Sequence, residues 1–271
     1  MPQNDTANKN RVPSARVETL LGCAWTTYRR QFVPLALLGI GVGILNQMIY
    51  LLPTAPRLGL SFLLYPVLVL GLYRTCLEAL CGGQLRPGLL LCGAKSLQSY
   101  GRSLLLGLPA LGIELLALLA SVAVAGLSQA ADQDPNRMTL SLSVSVGMLA
   151  VRVWYLYRFS LLEYSWLTGR ARTLSQAIKL SMEKTRGTFG YAVRFGIGLL
   201  LCYLPVAAAG SAADALIARA GMDAATALSV TVTVRIFLNA AAPFYTMGAL
   251  AFAAGYFNGI QQEFSSTEGL V

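Results

Sequence analysis

Six mainly apolar stretches, each long enough to cross a membrane, constrain this chain more than any other feature of its sequence. They cover residues 32–52, 58–81, 103–127, 138–162, 188–210 and 226–258. About 20 helical residues cross the ~30 Å of hydrocarbon in a bilayer. Backbone hydrogen bonds in lipid require helices or a closed barrel, and no barrel-like alternation is visible. The sequence therefore predicts an all-α polytopic membrane protein with about six transmembrane helices, the sixth with a possible bend at Pro243.

The composition agrees with a membrane protein and argues against a sizeable soluble domain. Of the 271 residues, 55% are hydrophobic and 12% are charged, whereas soluble domains carry about 25% charged residues. We expect a single membrane domain over residues 16–260, with a disordered cytoplasmic tail at 1–15 and a second cytoplasmic tail at 261–271. The polar first residues also predict that no cleavable signal peptide is present.

Lysine and arginine residues are distributed unevenly between the two sides of the predicted spans. Most of the 21 lie in the N-terminal segment, in the connections after the second and fourth spans, or at the adjoining span ends. The opposite connections hold little beyond Arg57, Arg137 and Arg219. The positive-inside rule therefore predicts cytoplasmic N- and C-termini. The same asymmetry accounts for the net charge of +9 without a nucleic-acid partner.

Two connections on the basic side predict contact with the membrane surface. The second, GRARTLSQAIKLSMEKTRG, places Leu174, Ala177, Ile178, Ser181 and Met182 on one helical face, with most basic residues away from it. Such a helix suits an anionic membrane surface, where each Lys or Arg contributes about 1 kcal/mol. The first, LRPGLLLCGAKSLQSYGR, is interpreted as a basic interfacial helix as well. The predicted contacts with lipid or a partner are Arg86, Lys95, Arg102, Arg170, Arg172, Lys179, Lys184 and Arg186.

The segment before the first span, ARVETLLGCAWTTYRRQF, has apolar residues at helical spacing. It is predicted either to lie as an amphipathic helix at the membrane interface or to extend the first span into the cytoplasm. Both interpretations fit the sequence equally well.

Two parts of the chain resemble each other and indicate a parallel internal repeat. The tripeptide at 72–74 matches the one at 156–158 at an offset of 84 residues, and Glu78 matches Glu163 at an offset of 85. Both units read as a span, a basic interfacial helix and a span running in the same membrane direction. On this alignment Arg74 corresponds to Arg158, which anchoring at the membrane surface explains.

The stretch LLEYSWLTGRARTLSQAIKLSMEKTRGTFGYAVRFGIGLLL is similar to a pattern in six-span bacterial membrane families of unknown function. These families resemble the membrane domain fused to some glycerophosphodiester phosphodiesterases. The pattern consists of a span end, a polar turn, an amphipathic helix and a glycine before the next span; here Ala177, Ile178, Ser181 and Gly187 match it. The resemblance implies six helices, cytoplasmic termini and a bacterial inner membrane. It carries no catalysis, since the phosphodiesterase domain has no counterpart in this sequence.

Ionisable residues inside a span are functional candidates because a charge in lipid is costly. Glu114 in the third span and Arg152 in the fourth are predicted to lie at matching depth and to form an ion pair. The pair either only fixes two helices together or forms part of a polar site for a lipid headgroup or an ion. Arg235 and Asn239, four residues apart in the sixth span, are further candidates.

The sequence offers little chemistry for catalysis. Histidine, the commonest general base and metal ligand, does not occur. No nucleotide-binding loop, nucleophile elbow or zinc-ligand spacing is present. Gly39, Gly41 and Gly43 lie inside an apolar helix, which favours close helix packing. We expect no catalytic residue, metal or cofactor, and we expect the five cysteines to be free thiols.

Two functional classes remain open from the sequence. The first is a non-enzymatic scaffold, assembly factor or accessory subunit whose basic cytoplasmic face binds anionic lipid, a partner protein or a second copy of the chain. The alternative is a small transporter or channel, with lipid as a candidate substrate and a polar site built around Glu114 and Arg152. A lipid-modifying membrane enzyme is a weaker third hypothesis.

Overall fold

A computed structural model describes residues 16–94, 96–129 and 135–257, so the predicted tails at 1–15 and 261–271 lie outside the described residues. The described chain is helical, with no strand assigned in it. The helices are α1 Val17–Arg30, α2 Phe32–Tyr50, α3 Thr54–Leu68, α4 Leu70–Leu80, α5 Leu97–Gln129, α6 Pro135–Arg158, α7 Leu162–Leu167, α8 Leu174–Thr185, α9 Phe189–Arg219, α10 Ala224–Leu238 and α11 Ala242–Gly255. A 3₁₀ helix, Pro87–Ala94, precedes α5.

The structure confirms the all-α architecture with six helical segments long and apolar enough to span a membrane. These segments are Phe32–Tyr50, Thr54–Leu80, Leu97–Gly126, Thr139–Leu167, Phe189–Arg219 and Ala224–Gly255. The helices of the third and fifth spans, α5 and α9, extend beyond the predicted bounds of 103–127 and 188–210. Each helix continues into more polar sequence, where the hydropathy signal fades. The chain is therefore a polytopic all-α membrane protein.

The second, fourth and sixth spans are each interrupted between two helical segments. The second is interrupted at Val69, the fourth at 159–161, and the sixth by a 3₁₀ turn at Asn239–Ala241. The last interruption directly precedes Pro243, close to where the sequence predicts a bend. Proline at the first positions of a helix favours such a restart, since its missing N–H needs no partner there.

These interruptions divide the described chain into three units with the same order of elements. Each unit has a short helix, an unbroken span and a broken span: α1–α4 form the first, the 3₁₀ helix with α5–α7 the second, and α8–α11 the third. The sequence resemblance indicated two units, whereas the helix order extends the pattern to three.

The three segments that follow the interruptions, α4, α7 and α11, meet in the centre of the molecule. Their side chains form most of the main apolar core, with Cys76 from α4, Tyr164 from α7 and Met247 from α11 almost fully buried. These three segments finish at one end of the molecule, which we call the basic end because Arg74 lies beside Leu167 there, and Arg170 and Lys184 lie beside Phe257. The densest packing is therefore at the basic end.

Each short helix packs against the segment that follows the interruption in the preceding unit. The 3₁₀ helix packs against α4, α8 packs against α7, and α1 packs against α11, which closes the circle. Each also donates a side-chain hydrogen bond to a carbonyl at or beside an interruption. The Ser181 hydroxyl donates to the Arg158 carbonyl at 2.6 Å, the Tyr28 hydroxyl to the Ala240 carbonyl at 2.9 Å, and the Cys92 thiol to the Leu70 carbonyl at 3.8 Å. Ser181 further accepts from the Leu161 N–H at 3.3 Å. Ser181 on α8 thus satisfies the Arg158 carbonyl and the Leu161 N–H at the interruption of the fourth span.

In this three-unit arrangement, each unbroken span has an equivalent position beside the first helix of a neighbouring broken span, which is α3, α6 or α10. The two helices pack together at two of these three positions. Helix α2 packs along α10, and α5 packs along α3. At the third position, α9 and α6 make no comparable contact along their length, and a cavity lies between them. The three-unit arrangement is therefore open on one side.

Close packing of α2 against the sixth span confirms the role expected for two of the three glycines. A Cβ on Gly39 would lie 2.3 Å from the Asn239 carbonyl oxygen, and one on Gly43 would lie 2.8 Å from the Asn239 Cβ. Nothing lies within 4 Å of the corresponding position on Gly41. The glycines at 39 and 43 thus allow backbone contact at the interruption of the sixth span.

Two predictions about the short helices need correction. The first basic connection forms no separate amphipathic α-helix, because residues Pro87–Ala94 form an apolar 3₁₀ helix. Proline and glycine disfavour α-helix in this stretch, and Gly71 allows the backbone of the 3₁₀ helix to approach α4 closely.

The second correction concerns helix α1, which is separated from the first span at Gln31. Its apolar face, with Leu20, Ala24 and Tyr28, is buried against protein, so α1 is a separate, packed helix and not an extension of the first span.

Candidate functional site

The side chains of Glu114 and Arg152 lie within ion-pair distance, as the sequence predicts. The Arg152 Nη2 atom is 3.5 Å from the Glu114 Oε2 atom, between α5 and α6. The two side chains remain 47% and 58% exposed for Arg152 and Glu114 respectively. The pair therefore lies on an open face of the α5–α6 hairpin and does not line an enclosed site.

Neutralising Glu114 and Arg152 together is expected to destabilise the protein less than the sum of the two single changes. Each single change leaves one charge in an apolar environment without its partner. We expect a coupling energy of about 0.5–3 kcal/mol between Glu114→Gln and Arg152→Gln, measured by thermal unfolding in lipid nanodiscs. The pair Glu114→Gln and Arg57→Gln serves as a control and should be additive. Additive losses for Glu114 and Arg152 would contradict a direct interaction.

The second pair of predicted residues, Arg235 and Asn239, belongs to a different location. The Arg235 Nη2 atom lies 3.9 Å from Asp214 Oδ2 on α9, and the Asn239 side chain donates to the Arg235 carbonyl at 2.8 Å. Both residues line a cavity of about 460 Å³ together with Gln47 and Tyr203. No residue of α5 or α6 lines it, so the four predicted intramembrane residues form two separate sites.

The basic end carries an open groove along α8 with a volume of about 590 Å³. Leu174, Ile178 and Met182 form its apolar part, and the charged residues beside them are Arg158, Lys179, Glu183 and Arg186. Lys179 lies 4.0 Å from Glu183, and Arg158 donates to the Thr185 hydroxyl at 3.3 Å. Sequence reasoning treated Arg158 as an anchor only, whereas the structure places it in this groove.

The other predicted surface residues lie in several environments. Arg170 and Lys184 approach the ring of Phe257 at 4.4 and 5.4 Å, within the range of cation–π interaction. Arg172 and Arg102 are exposed, and Lys95 lies outside the described residues. Arg86 lines a second groove of about 470 Å³ with Arg74, Ser99, Ser103 and Trp166. Both grooves thus combine an arginine at a broken span with residues of the following connection.

A third feature, which sequence reasoning missed, is the cavity of about 420 Å³ between α6 and α9. Glu163 of α7 lines it, and the Tyr65 hydroxyl donates to Glu163 Oε1 at 2.9 Å. In the sequence, Glu163 only matched Glu78 in the repeat. Glu78, however, lies 3.6 Å from Arg74, so the two glutamates have different surroundings. The signal available was a carboxyl inside an apolar, tyrosine-rich span.

Cys81, at the end of α4, illustrates the state of the thiols near the basic end. The pKa of its thiol is raised to about 11, mainly by burial and also by the Glu78 carboxylate, while Arg74 lowers it. The thiol is therefore protonated at neutral pH and is a weak nucleophile. None of the five cysteines forms a disulfide in the structure, and no group of His, Cys, Asp and Glu among the described residues could hold a metal ion.

Comparisons with known proteins identify no relative of this chain. No family model, no curated protein and no solved structure matches it. The resemblance to six-span bacterial families therefore stays a prediction. The fold and its sites define a class, a polytopic α-helical membrane protein with two arginine-containing grooves and a lateral cavity, and function has to be argued from these sites.

Proposed function

We propose that this protein is a non-enzymatic membrane scaffold or accessory subunit whose basic end binds anionic phospholipid. The groove along α8 carries this proposal. It places the cationic groups of Arg158, Lys179 and Arg186 beside an apolar surface. Arginine binds phosphate through two parallel hydrogen bonds, and an apolar surface accommodates the hydrocarbon next to a headgroup. A protein partner with the same chemistry would use the same surface.

The proposed orientation places the basic end at the cytoplasmic side of a bacterial inner membrane. Anionic lipid in that leaflet attracts basic residues close to the membrane surface. Arg158 lies at the end of α6, at the interruption of the fourth span, and Arg186 directly follows α8. Long arginine side chains can reach toward the headgroups from such positions. The positive-inside rule and the position of the groove thus support the same orientation.

Phosphatidylglycerol is expected to stabilise the protein against thermal unfolding more than phosphatidylcholine does. The variant Lys179→Gln/Arg186→Gln should lose most of this difference, since each removed charge near the surface contributes about 1 kcal/mol and two such losses weaken binding about thirtyfold. Arg158 is left unchanged because it bonds to Thr185. The measurement is the unfolding midpoint in mild detergent at rising lipid concentration.

The matched control is Arg57→Gln/Arg219→Gln, which changes the net charge equally but lies in the opposite connections. It should retain the preference for phosphatidylglycerol. Equal loss in both double variants would show that net charge alone causes the preference, and this would contradict a binding groove. Native mass spectrometry of the protein purified in mild detergent would identify retained lipids, partner proteins or a second copy.

A second candidate function, membrane transport, is supported by the cavity between α6 and α9. This cavity opens between two spans, so an apolar molecule could enter it from the lipid phase. The transport hypothesis then rests on Glu163 and the surfaces of α6 and α9, and no longer on Glu114 and Arg152. Uptake into proteoliposomes would test it.

A further inference from the structure

The cavity between α6 and α9 is bounded at the basic end and apolar along its length. The rings of Tyr157 and Phe189 contact each other edge to face, with their centres 5.3 Å apart, and the Tyr157 hydroxyl donates to the Thr185 carbonyl. Beyond this contact the two helices do not pack together. The volume of the cavity, about 420 Å³, lies in the range of small-molecule sites. A ligand would enter sideways from the membrane.

Glu163 is the single charged residue among those that line this cavity. Its carboxyl group accepts a hydrogen bond from Tyr65, and Tyr73 and Ser160 lie on the same cavity wall. No lysine or arginine lines the cavity, and Arg158, the nearest along the chain, bonds instead to Thr185 on α8. A carboxylate within a membrane span without a counter-charge is costly, so a bound cation would remove a substantial penalty.

Aromatic rings from several helices line the same cavity as the carboxyl group. Those lining the cavity are Tyr73, Tyr155, Tyr157, Phe159, Phe189, Phe195 and Phe252. Aromatic faces attract cations, and the attraction is stronger away from water. The combination of one carboxyl group, many rings and no basic side chain complements an organic cation with an apolar body.

We propose that the cavity between α6 and α9 binds membrane-soluble organic cations, with Glu163 as the counter-charge and the aromatic rings as the contact surface. This site is distinct from the groove along α8, which has the opposite charge preference. An anionic lipid in the cavity would bring a second negative charge next to Glu163. The proposal thus does not depend on phospholipid binding at the basic end, and either can fail without the other.

The test uses tetraphenylphosphonium and tetraphenylborate, two ions of similar size and opposite charge. Binding to the full chain in mild detergent is measured by equilibrium dialysis. We expect saturable binding of tetraphenylphosphonium that is at least tenfold tighter than that of tetraphenylborate. Glu163→Gln should weaken cation binding at least tenfold, whereas Glu114→Gln, which removes another carboxyl group from a span, should leave it unchanged. Equal binding of both ions, or unchanged cation binding to Glu163→Gln, would overturn the proposal.

A second measurement avoids substitution and applies even where Glu163→Gln fails to fold. Dicyclohexylcarbodiimide, an apolar reagent that modifies carboxyl groups, is added to the unaltered protein, and peptide mass spectrometry locates the modified residues. We expect tetraphenylphosphonium to slow modification of Glu163 at least fivefold and to leave modification of Glu114 unaffected. Undiminished modification of Glu163 at saturating cation would place the cation elsewhere and reject the site.

Discussion

Replacing Gly39 by alanine is expected to destabilise the protein by several kcal/mol, while the same replacement at Gly41 is tolerated. The added methyl group at 39 would lie 2.3 Å from the Asn239 carbonyl oxygen and 2.9 Å from Pro243 Cδ. Neither is the end of a flexible side chain, so α2 must move away from the sixth span. Overpacking of this kind typically costs about 1–3 kcal/mol, and more where the backbone is involved.

Gly41 is a matched control because it lies on the same helix and its added methyl group would meet nothing within 4 Å. Both substitutions gain the same helix propensity, about 1 kcal/mol in water, which cancels in the comparison. Thermal unfolding in mild detergent, followed by size-exclusion chromatography of the remaining folded fraction, measures the difference. Similar midpoints for the two variants would show that α2 does not contact the interruption of the sixth span closely.

Ser181→Ala is expected to lower the free energy of unfolding by about 2 kcal/mol. The substitution removes the donor to the Arg158 carbonyl and the acceptor of the Leu161 N–H, at 2.6 and 3.3 Å. Ser181 has no exposed surface, so water cannot simply replace it. A buried polar group that loses its partner costs about 1–3 kcal/mol.

The control for Ser181→Ala is Ser175→Ala, since Ser175 lies on the same helix and is exposed. This variant should unfold within about 0.5 kcal/mol of the unaltered protein, as is usual for surface substitutions. Chemical unfolding monitored by tryptophan fluorescence provides the comparison. If Ser181→Ala were equally neutral, the break in the fourth span would not depend on α8 for its hydrogen bonds.

The sequence predicts the spans and the Glu114–Arg152 pair because both depend on strong local rules. About 20 apolar residues form a membrane helix wherever they occur, and two opposite charges at matching depth in consecutive spans have few other partners. The close contact of Gly39 and Gly43 follows in the same way from small residues in an apolar helix. These inferences require at most that spans consecutive in the chain become neighbours.

The cavity and the three-unit arrangement depend on contacts between distant parts of the chain. Glu163 is prominent in the sequence, but its surroundings come from α4, α6, α9 and α11, which no local pattern connects. The same limit applies to Asp214, the partner of Arg235 in the structure, because the predicted span at 188–210 ends before it. Helix α9 extends to Arg219 and places Asp214 inside a helix.

The contact between α1 and α11 has a consequence for biosynthesis. The Tyr28 hydroxyl bonds to the carbonyl of Ala240, 212 residues later. At about 5–20 residues per second, a ribosome needs roughly 10–40 s to cover that distance. During this interval Leu20, Ala24 and Tyr28 lack the surface that later covers them. The nascent protein therefore passes through a stage with an uncovered amphipathic helix, in which insertion factors or the lipid surface can hold α1 until the last span arrives.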